Sequence, residues 1–324
     1  MTWTRRGLLI GAGAAWLDAK LPAAAREPVL VVGGPAFGTY VRATLPPDAN
    51  ERAARAAIES VVAAVDAALS PFRPTSEISR FNASAATDWF ALSPHAVAVA
   101  VEGLKIAAFT GGAFDPTVGG IVGRYGFGPI RSTAPATYAD LGVSDGAMRK
   151  AAGGVTFDPC GIAKGHALDL MMAGLADLGI SDVLTELGGE VAARGRHPEG
   201  RPWQVGVEQP GARETAFQRI VRIDGMALAT SGDAVNGYDV GGRRYAHIID
   251  PRTRRPAAGG LASVSVMAET AITADALATG LFAMGADAGP EFASRRDIAA
   301  LFVARDGAAL REMQTGAFAA HVLA

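Results

Sequence analysis

The most informative segment of the chain is Asp158-Pro159-Cys160-Gly161-Ile162-Ala163-Lys164-Gly165-His166. It follows a β-rich run, Gly154 to Phe157, and it opens a stretch with helical apolar spacing, Ala163 to Leu178. We therefore expect a strand to end here, a glycine to turn the chain, and a helix to begin with Lys164 in its first turns. Free backbone N–H groups at a helix start suit a phosphate, and the Lys164 ammonium adds positive charge. The glycine spacing is not that of a Walker motif, so phosphate binding and a plain strand-to-helix connection both remain open.

Helices and strands follow one another irregularly on either side of this segment. Capping residues and apolar spacing predict a helix from Asn50 to about Leu69, one beginning at Ser93-Pro94, and one from Ala271 to Met284 that Gly285 ends. Short β-rich runs lie between the helices, at Val29–Val32, Tyr40–Leu45, Trp203–Val207, Ile220–Ile223, Ala262–Met267 and Ala299–Val303. The regular alternation of a doubly wound sheet is missing. We predict an α+β fold, a compact unit of two lobes.

Composition excludes two classes of protein. Hydrophobic residues make up 49% of the 324, which is enough to bury a core and argues against disorder. The formal net charge is -2 and no basic block stands out, so we expect no nucleic-acid partner. Cys160 is the only cysteine, so no internal disulfide can form, and we expect its side chain to be a small buried group.

The N-terminus has the pattern of an export signal. Arg5-Arg6 precede a short apolar stretch, Leu8 to Leu17, and the small residues Ala23-Ala24-Ala25 follow it. Such a segment is typical of a signal peptide, and paired arginines favour the twin-arginine route. Because a membrane span needs about 20 apolar residues, this stretch is too short to anchor the chain. We expect a signal peptide over 1–25, a mature domain over 26–324 and a periplasmic location, with an amphipathic N-terminal helix as the alternative.

Two later motifs carry polar groups beside apolar ones. Ala229-Thr230-Ser231-Gly232-Asp233 is a hydroxyl-rich turn, and His247 lies in Tyr245-Ala246-His247-Ile248-Ile249-Asp250-Pro251 after a predicted strand. A histidine in such a setting is more often structural than catalytic. Asp275 and Thr279 are four residues apart and share one otherwise apolar helix face. Mg²⁺ would satisfy that carboxylate, and so would a cap or a buried hydrogen bond.

Two earlier motifs are weaker. Phe37-Gly38-Thr39-Tyr40 reads as a turn, and the loop from Leu69 to Asn82 contains Phe72. Gly112-Ala113-Phe114-Asp115-Pro116-Thr117 follows a predicted helix end, where Asp-Pro is ordinary turn chemistry. None of these segments specifies a function alone.

In order and in combination, the five segments resemble the ApbE family of FAD:protein FMN transferases, roughly from Val29 to the C-terminus. The resemblance implies a cleft between the lobes that binds FAD, with Mg²⁺ on its pyrophosphate. It implies that a threonine hydroxyl of an acceptor protein attacks the FMN-side phosphorus and that AMP leaves. The metal would neutralise developing charge while the site positions the groups.

The resemblance also implies roles for individual residues. Asp275 and Thr279 correspond to metal ligands, and Gly161 would add its backbone carbonyl because it has no side chain. His247 would accept the threonine proton, with Asp158 or Asp250 the next candidate for a catalytic role. The residues expected around FAD are Phe37, Phe72, Ala113, Phe114, Asp115, Asp158, Lys164, Ser231 and Ile249.

Several positions depart from the family pattern. Phe37 stands where methionine is usual, Phe72 where tyrosine is common, and His166 where tyrosine is frequent. Ala278 lacks the further aspartate of some members, and Glu190 after Gly188-Gly189 replaces a common aspartate. These changes bear on selectivity and not on the class of protein.

Three functions remain open on the sequence. The first is FMN transfer to a threonine of an acceptor flavoprotein, an electron-transfer subunit that could be membrane-bound. The second is an FAD pyrophosphatase, in which water attacks and FMN and AMP are released. The third is a non-catalytic flavin-binding assembly factor, which would have little need of Asp275, Thr279, Lys164 and His247 together.

Overall fold

A computed structural model describes residues 29–212, 216–234, 237–240, 243–257, 260–307 and 309–323. The predicted signal peptide over 1–25 lies outside these residues. None of the helices in the described part of the chain combines the length and the apolar character that crossing a membrane requires.

An eight-stranded sheet forms the centre of the molecule, in the order β1-β2-β6-β7-β10-β15-β16-β17. All seven neighbouring strand pairs in this sheet are antiparallel, and β1 and β2 form a hairpin in which Ala36 pairs with Thr39. The eight strands are β1 Leu30–Ala36, β2 Thr39–Leu45, β6 Val183–Leu187, β7 Glu190–Arg194, β10 Met226–Gly232, β15 Leu261–Ala268, β16 Ala300–Asp306 and β17 Ala309–Thr315.

The remaining described strands form small antiparallel sheets at the periphery. One has three strands in the order β3-β5-β4, and the others are the pairs β8-β9, β11-β12 and β13-β14. Their bounds are β3 Phe90–Ala91, β4 Leu141–Ser144, β5 Ala147–Lys150, β8 Trp203–Glu208, β9 Phe217–Ile223, β11 Gly237–Val240, β12 Arg243–Ala246, β13 Ile249–Asp250 and β14 Arg255–Pro256.

The helices begin where the sequence supplies caps. The Asn50 side chain accepts a hydrogen bond from Ala53 N, and the Ser93 side chain accepts one from Ala96 N, with Pro94 at the first helical position. The bounds are α1 Glu51–Leu69, α2 Glu77–Ala83, α3 Pro94–Phe109, α4 Gly119–Arg124, α5 Ala163–Asp177, α6 Ala271–Arg295 and α7 Phe318–His321, with a 3₁₀ turn at Tyr138–Asp140. Gly285 interrupts α6 with φ 86° and ψ -177°, where the sequence predicts the helix to end.

Two hydrophobic cores lie on opposite faces of the central sheet. Helices α1, α3, α5 and α6 pack on one face, and Phe157, Ile162 and Leu281 are among the side chains buried there. The hairpin β8-β9 and α7 cover the other face through Trp203, Val221 and Phe318. The prediction of an α+β fold is thus confirmed, with helices concentrated on one face of an antiparallel sheet.

Two local predictions are wrong. Gly154–Phe157 forms no strand; it is a loop that Asn82 holds, since Asn82 Nδ2 donates to the Phe157 carbonyl and Asn82 Oδ1 accepts from Phe157 N. Side-chain hydrogen bonds therefore replace strand pairing along this apolar run. Cys160 is exposed and not buried, because it occupies the turn between this loop and α5.

Candidate active site

The start of α5 and the first turns of α6 meet at close range. A Cβ placed on Gly165 would lie 2.3 Å from the Ala271 carbonyl oxygen, so only glycine allows the two helices to approach this closely. Gly165 N donates a hydrogen bond of 3.1 Å to Asp275 Oδ2. A Cβ on Gly161 would lie 3.1 Å from Thr279 Oγ1. The structure thus brings Gly161, Asp275 and Thr279 together.

Strand β10 adds a hydroxyl to this group. Ser231 Oγ and Thr279 Oγ1 are 3.2 Å apart and share a hydrogen bond. Ser231 lies near the end of β10, next to β15 in the sheet, and α6 packs across both strands. The hydroxyl-rich turn of the sequence is therefore part of the site.

Lys164 connects two buried carboxylates. Its ammonium forms an ion pair with Glu190 Oε1, and the electrostatic influence of Asp275 acts on it as well. Burial lowers the pKa of Lys164, but the two carboxylates outweigh burial and the pKa is raised. Lys164 is therefore charged throughout the neutral range. The sequence did not predict a role for Glu190 in the site. Its only indication was a charged residue after Gly188-Gly189 at the start of an apolar strand.

Glu190 lies in an environment that is unfavourable for a carboxylate. It is 2% exposed, its Oε2 atom has no hydrogen-bond partner in the described part of the chain, and burial raises its pKa to about 7. Burial also raises the pKa of Asp275, while Lys164 opposes the rise. A buried carboxylate oxygen without a partner is costly, and it usually indicates a group that a ligand or ion completes.

The donor set at this point suits a hard cation. Asp275, Thr279 and Glu190 supply carboxylate and hydroxyl oxygens, which are the ligand types that Mg²⁺ prefers. Within the described ranges no three His, Cys, Asp or Glu side chains are grouped to hold a metal ion by themselves. The residues therefore fit an ion that completes its coordination with backbone and substrate oxygens, as Mg²⁺ does on phosphates.

A second group of residues lies where α4 meets the loop before α5. Asp158 N donates to the Pro116 carbonyl at 2.6 Å, and Asp158 Oδ1 accepts from Cys160 N at 3.0 Å. Asp115 Oδ1 accepts from the amide and hydroxyl of Thr117, and its Oδ2 accepts from Tyr138 N. Both carboxylates are buried, and burial raises both pKa values. The Asp115 side chain therefore holds this loop in shape through bonds to Thr117 and Tyr138.

Phe114 and Ala113 lie beneath this loop. A Cβ on Gly280 of α6 would be 3.1 Å from Phe114 Cβ, and a Cβ on Gly161 would be 3.3 Å from Phe114 Cε2. Both Ala113 and Phe114 are buried. The Phe114 ring therefore packs between Gly161 and α6 and supports the segment that carries Gly161.

Phe37 and Phe72 lie on the β1-β2 side. Phe37 has φ 49° at the hairpin turn and lines a cavity of about 770 Å³ between the hairpin and α1. A Cβ on Gly188, two residues before Glu190, would lie 2.6 Å from Thr39 Cγ2, so this hairpin turn contacts the turn that leads to Glu190. Phe72 is 67% exposed in the loop after α1.

His247 and Ile249 lie in the segment where β12 leads into β13. His247 directly follows β12, is partly exposed, and has the Phe127 ring edge-on at 6.3 Å between centroids. Ile249 is buried in β13, which contacts α6. Asp250 is held by Arg252, whose Nε lies 3.1 Å from Asp250 Oδ1. The His247 imidazole is therefore partly accessible to solvent, and the neighbouring Asp250 carboxylate is paired with Arg252.

Comparisons with known proteins agree with this arrangement. A sequence profile described as the ApbE family matches residues 37–302. The FAD:protein FMN transferase of Vibrio cholerae is 32% identical over 89% of this chain and 91% of its own length, and that of Escherichia coli strain K12 is 32% identical over 86% and 85%.

Solved structures show the same likeness. The flavin transferase ApbE from Vibrio cholerae superposes with a TM-score of 0.83 at 30% identity, covering 91% of this chain and all 100% of that one. The apo form of the flavinyl transferase ApbE from Pseudomonas stutzeri gives 0.82 at 31% identity, covering 91% and 96%. The profile covers all the site residues, from Phe37 to Thr279. This chain belongs to the ApbE family.

Proposed function

We propose that this protein is an exported, Mg²⁺-dependent FAD:protein FMN transferase that attaches FMN through a phosphoester bond to a threonine of an acceptor protein. The observation that carries the proposal is the cluster at the start of α5, where Lys164, Asp275, Thr279 and the orphaned Glu190 oxygen converge. A site for flavin alone would not require these charged groups, whereas a pyrophosphate with a cation does. The names of the relatives point to the same reaction.

The chain's own residues would bind and orient the reactants. Lys164 would hold the pyrophosphate with its positive charge. The expected free N–H groups at the start of α5 are already bonded, since Ile162 N and Ala163 N donate to the Pro159 carbonyl and Gly165 N donates to Asp275. Asp275, Thr279 and the Gly161 carbonyl would hold Mg²⁺, which supplies charge neutralisation on the phosphates when bound. Phe37 and the loops at Ala113–Asp115 and Asp158 would hold the flavin and adenine parts. The partly exposed His247 would accept the proton of the acceptor threonine.

The step balances in atoms and charge. The threonine oxygen forms a bond to the FMN-side phosphorus, and the bond from that phosphorus to the bridging oxygen breaks. AMP leaves with the electron pair of that bond, and the threonine proton goes to His247. Positioning and charge stabilisation are the main contributions that a protein makes to phosphoryl transfer.

The direct test is an acceptor assay. The purified chain would be incubated with FAD, Mg²⁺ and a flavinylatable electron-transfer domain, and mass spectrometry would follow covalent FMN while chromatography follows AMP. We expect one AMP for each FMN attached. AMP release at the same rate without an acceptor would instead show an FAD pyrophosphatase, and binding of FAD with no AMP at all would show an assembly factor.

Asp275→Asn tests the metal assignment. We expect transfer to fall by at least about 10²-fold, because a hard cation loses its anionic protein ligand, and Mg²⁺ affinity measured by calorimetry to fall in parallel. Asp287→Asn is the matched control, since Asp287 is exposed on the same helix. Wild-type transfer and Mg²⁺ binding in Asp275→Asn would contradict the assignment.

A further inference from the structure

Four aromatic rings form a column beside His247. Phe127 and Tyr238 have centroids 5.2 Å apart at an interplanar angle of 20°, and Tyr238 and Tyr245 are 5.5 Å apart at 18°. Tyr245 and Tyr125 complete the column at 6.3 Å and 27°. Offset parallel ring pairs of this kind stabilise the contact between two segments beyond the area that they bury. We call Tyr125, Phe127, Tyr238 and Tyr245 the aromatic column.

The column joins two distant parts of the chain. Tyr125 and Phe127 directly follow α4, and Tyr238 and Tyr245 come from the two strands of the β11-β12 hairpin. A hydrogen bond of 3.2 Å from the Tyr238 hydroxyl to the Tyr125 carbonyl adds a polar connection. The two segments are thus held together by both stacking and a hydrogen bond.

Both segments that the column joins lead to the active site. On the α4 side, a Cβ on Gly119 would lie 2.9 Å from Asp158 Cβ, so α4 packs directly on the loop that carries Asp158. On the hairpin side, His247 is two residues beyond Tyr245. The column therefore bridges the FAD side of the site and the residue that faces the acceptor.

The hairpin needs such a bridge. It is a two-stranded sheet that is not part of the central sheet, and an isolated two-stranded hairpin is at best marginally stable in water. Its position relative to the site must come from side-chain contacts. Phe127 makes one of them to His247 itself, edge-on at 6.3 Å and 65°.

We propose that the aromatic column positions the His247 imidazole against the FAD side of the site, so that Phe127 and Tyr238 are positioning residues for the transfer step. The proposal rests on the proposed function of His247. In this proposal the column acts by setting the location of the imidazole and not by binding FAD. Its loss should therefore reduce the rate of transfer at saturating acceptor and FAD while FAD affinity stays unchanged.

The test uses the full chain with Phe127→Leu, Tyr238→Ala and Tyr238→Phe. We expect the first two to lower the single-turnover transfer rate about 10- to 100-fold, the usual cost of misplacing a reacting group by about 1 Å. FAD affinity should stay near the wild-type value, and the melting temperature should fall only by the few degrees that the lost stacking accounts for. Tyr238→Phe keeps the ring and should recover most of the rate lost in Tyr238→Ala. Trp89→Leu is the control, because Trp89 is an exposed aromatic residue that stacks on Arg149 away from the column.

A double-mutant cycle shows whether the column acts through His247. Phe127→Leu should add little to the loss that His247→Ala causes, expected at about 10²–10⁴-fold. Additive losses, or Phe127→Leu and Tyr238→Ala rates equal to that of Trp89→Leu, would overturn the proposal. So would a rate loss that accompanies equal losses of FAD affinity and melting temperature.

A spectroscopic readout separates this proposal from the proposed function. NMR contacts between the ring protons of Phe127 and His247 should be present in the wild-type chain and lost in Tyr238→Ala. If the wild-type chain modified no acceptor, the proposed function would fail, and these contacts would still decide whether the column positions the ring. Their persistence in Tyr238→Ala would overturn the column's role.

Discussion

Glu190 is the residue whose environment conflicts most with its chemistry. Burial raises its pKa to about 7, from an ordinary value near 4.5, even though Lys164 favours its ionised form. A carboxylate whose folded pKa lies above its unfolded pKa binds more protons in the folded state between those two values. Its contribution to the free energy of unfolding is therefore full below about pH 4.5 and is lost as pH rises through about 7.

Glu190→Gln should remove this pH dependence. Glutamine resembles the protonated acid, so we expect the variant to gain stability relative to the wild type as pH rises from 5 to 8, by up to about 3 kcal/mol. Transfer activity should fall, because Lys164 loses its ion pair. Urea unfolding in EDTA at several pH values measures the first effect, and exposed Glu291→Gln shows the effect of removing one charge elsewhere. A stability difference that is flat between pH 5 and 8 would show that Glu190 is not strained.

Among the elements, the close approach of α5 and α6 controls the site. Gly165 permits it, because a Cβ there would lie 2.3 Å from the Ala271 carbonyl oxygen. Gly174 is on the same helix, but a Cβ there would be 3.8 Å from Ala57 Cβ, an ordinary contact. The same substitution should therefore have opposite effects at these two positions.

Gly165→Ala should destabilise the protein by about 1–3 kcal/mol or more, since backbone cannot move aside as a side chain can. Gly174→Ala should stabilise it by about 0.5–1 kcal/mol through helix propensity. Thermal unfolding compares the two variants directly. In Gly165→Ala, Mg²⁺ affinity should also fall, because Gly165 N is bonded to Asp275. Equal stability of the two variants would show that the helices can separate at no cost.

At the scale of the whole molecule, the predicted signal peptide would determine the compartment in which the protein acts. Arg5→Lys with Arg6→Lys should prevent appearance of the mature chain in the periplasm, because the twin-arginine route reads that pair. Cell fractionation with immunodetection measures this, and Arg26→Lys beyond the expected cleavage site is the control. If the double variant is exported as well as the wild type, the segment is a general signal peptide or is not a signal peptide.

Much of the site could be read from the sequence because its groups lie in short, ordered motifs. Asp275 and Thr279 share a helix face by spacing alone, and Gly161 and Lys164 lie in one turn before and within α5. The role of Glu190 could not be predicted in this way. Its partner Lys164 is 26 residues away in the chain, and only the packing of β7 on α5 brings the two together.

The helix starts after Asn50 and Ser93 and the break in α6 at Gly285 follow from the amino-acid sequence, because capping and positive φ depend on residues within a few positions. The tertiary structure decided which strands pair, why Gly154–Phe157 is a loop, and which ring lies beside His247. Phe127 and His247 are 120 residues apart along the chain. Contacts between such distant segments depend on the packing of the whole chain, whereas caps and turns depend on local backbone geometry alone.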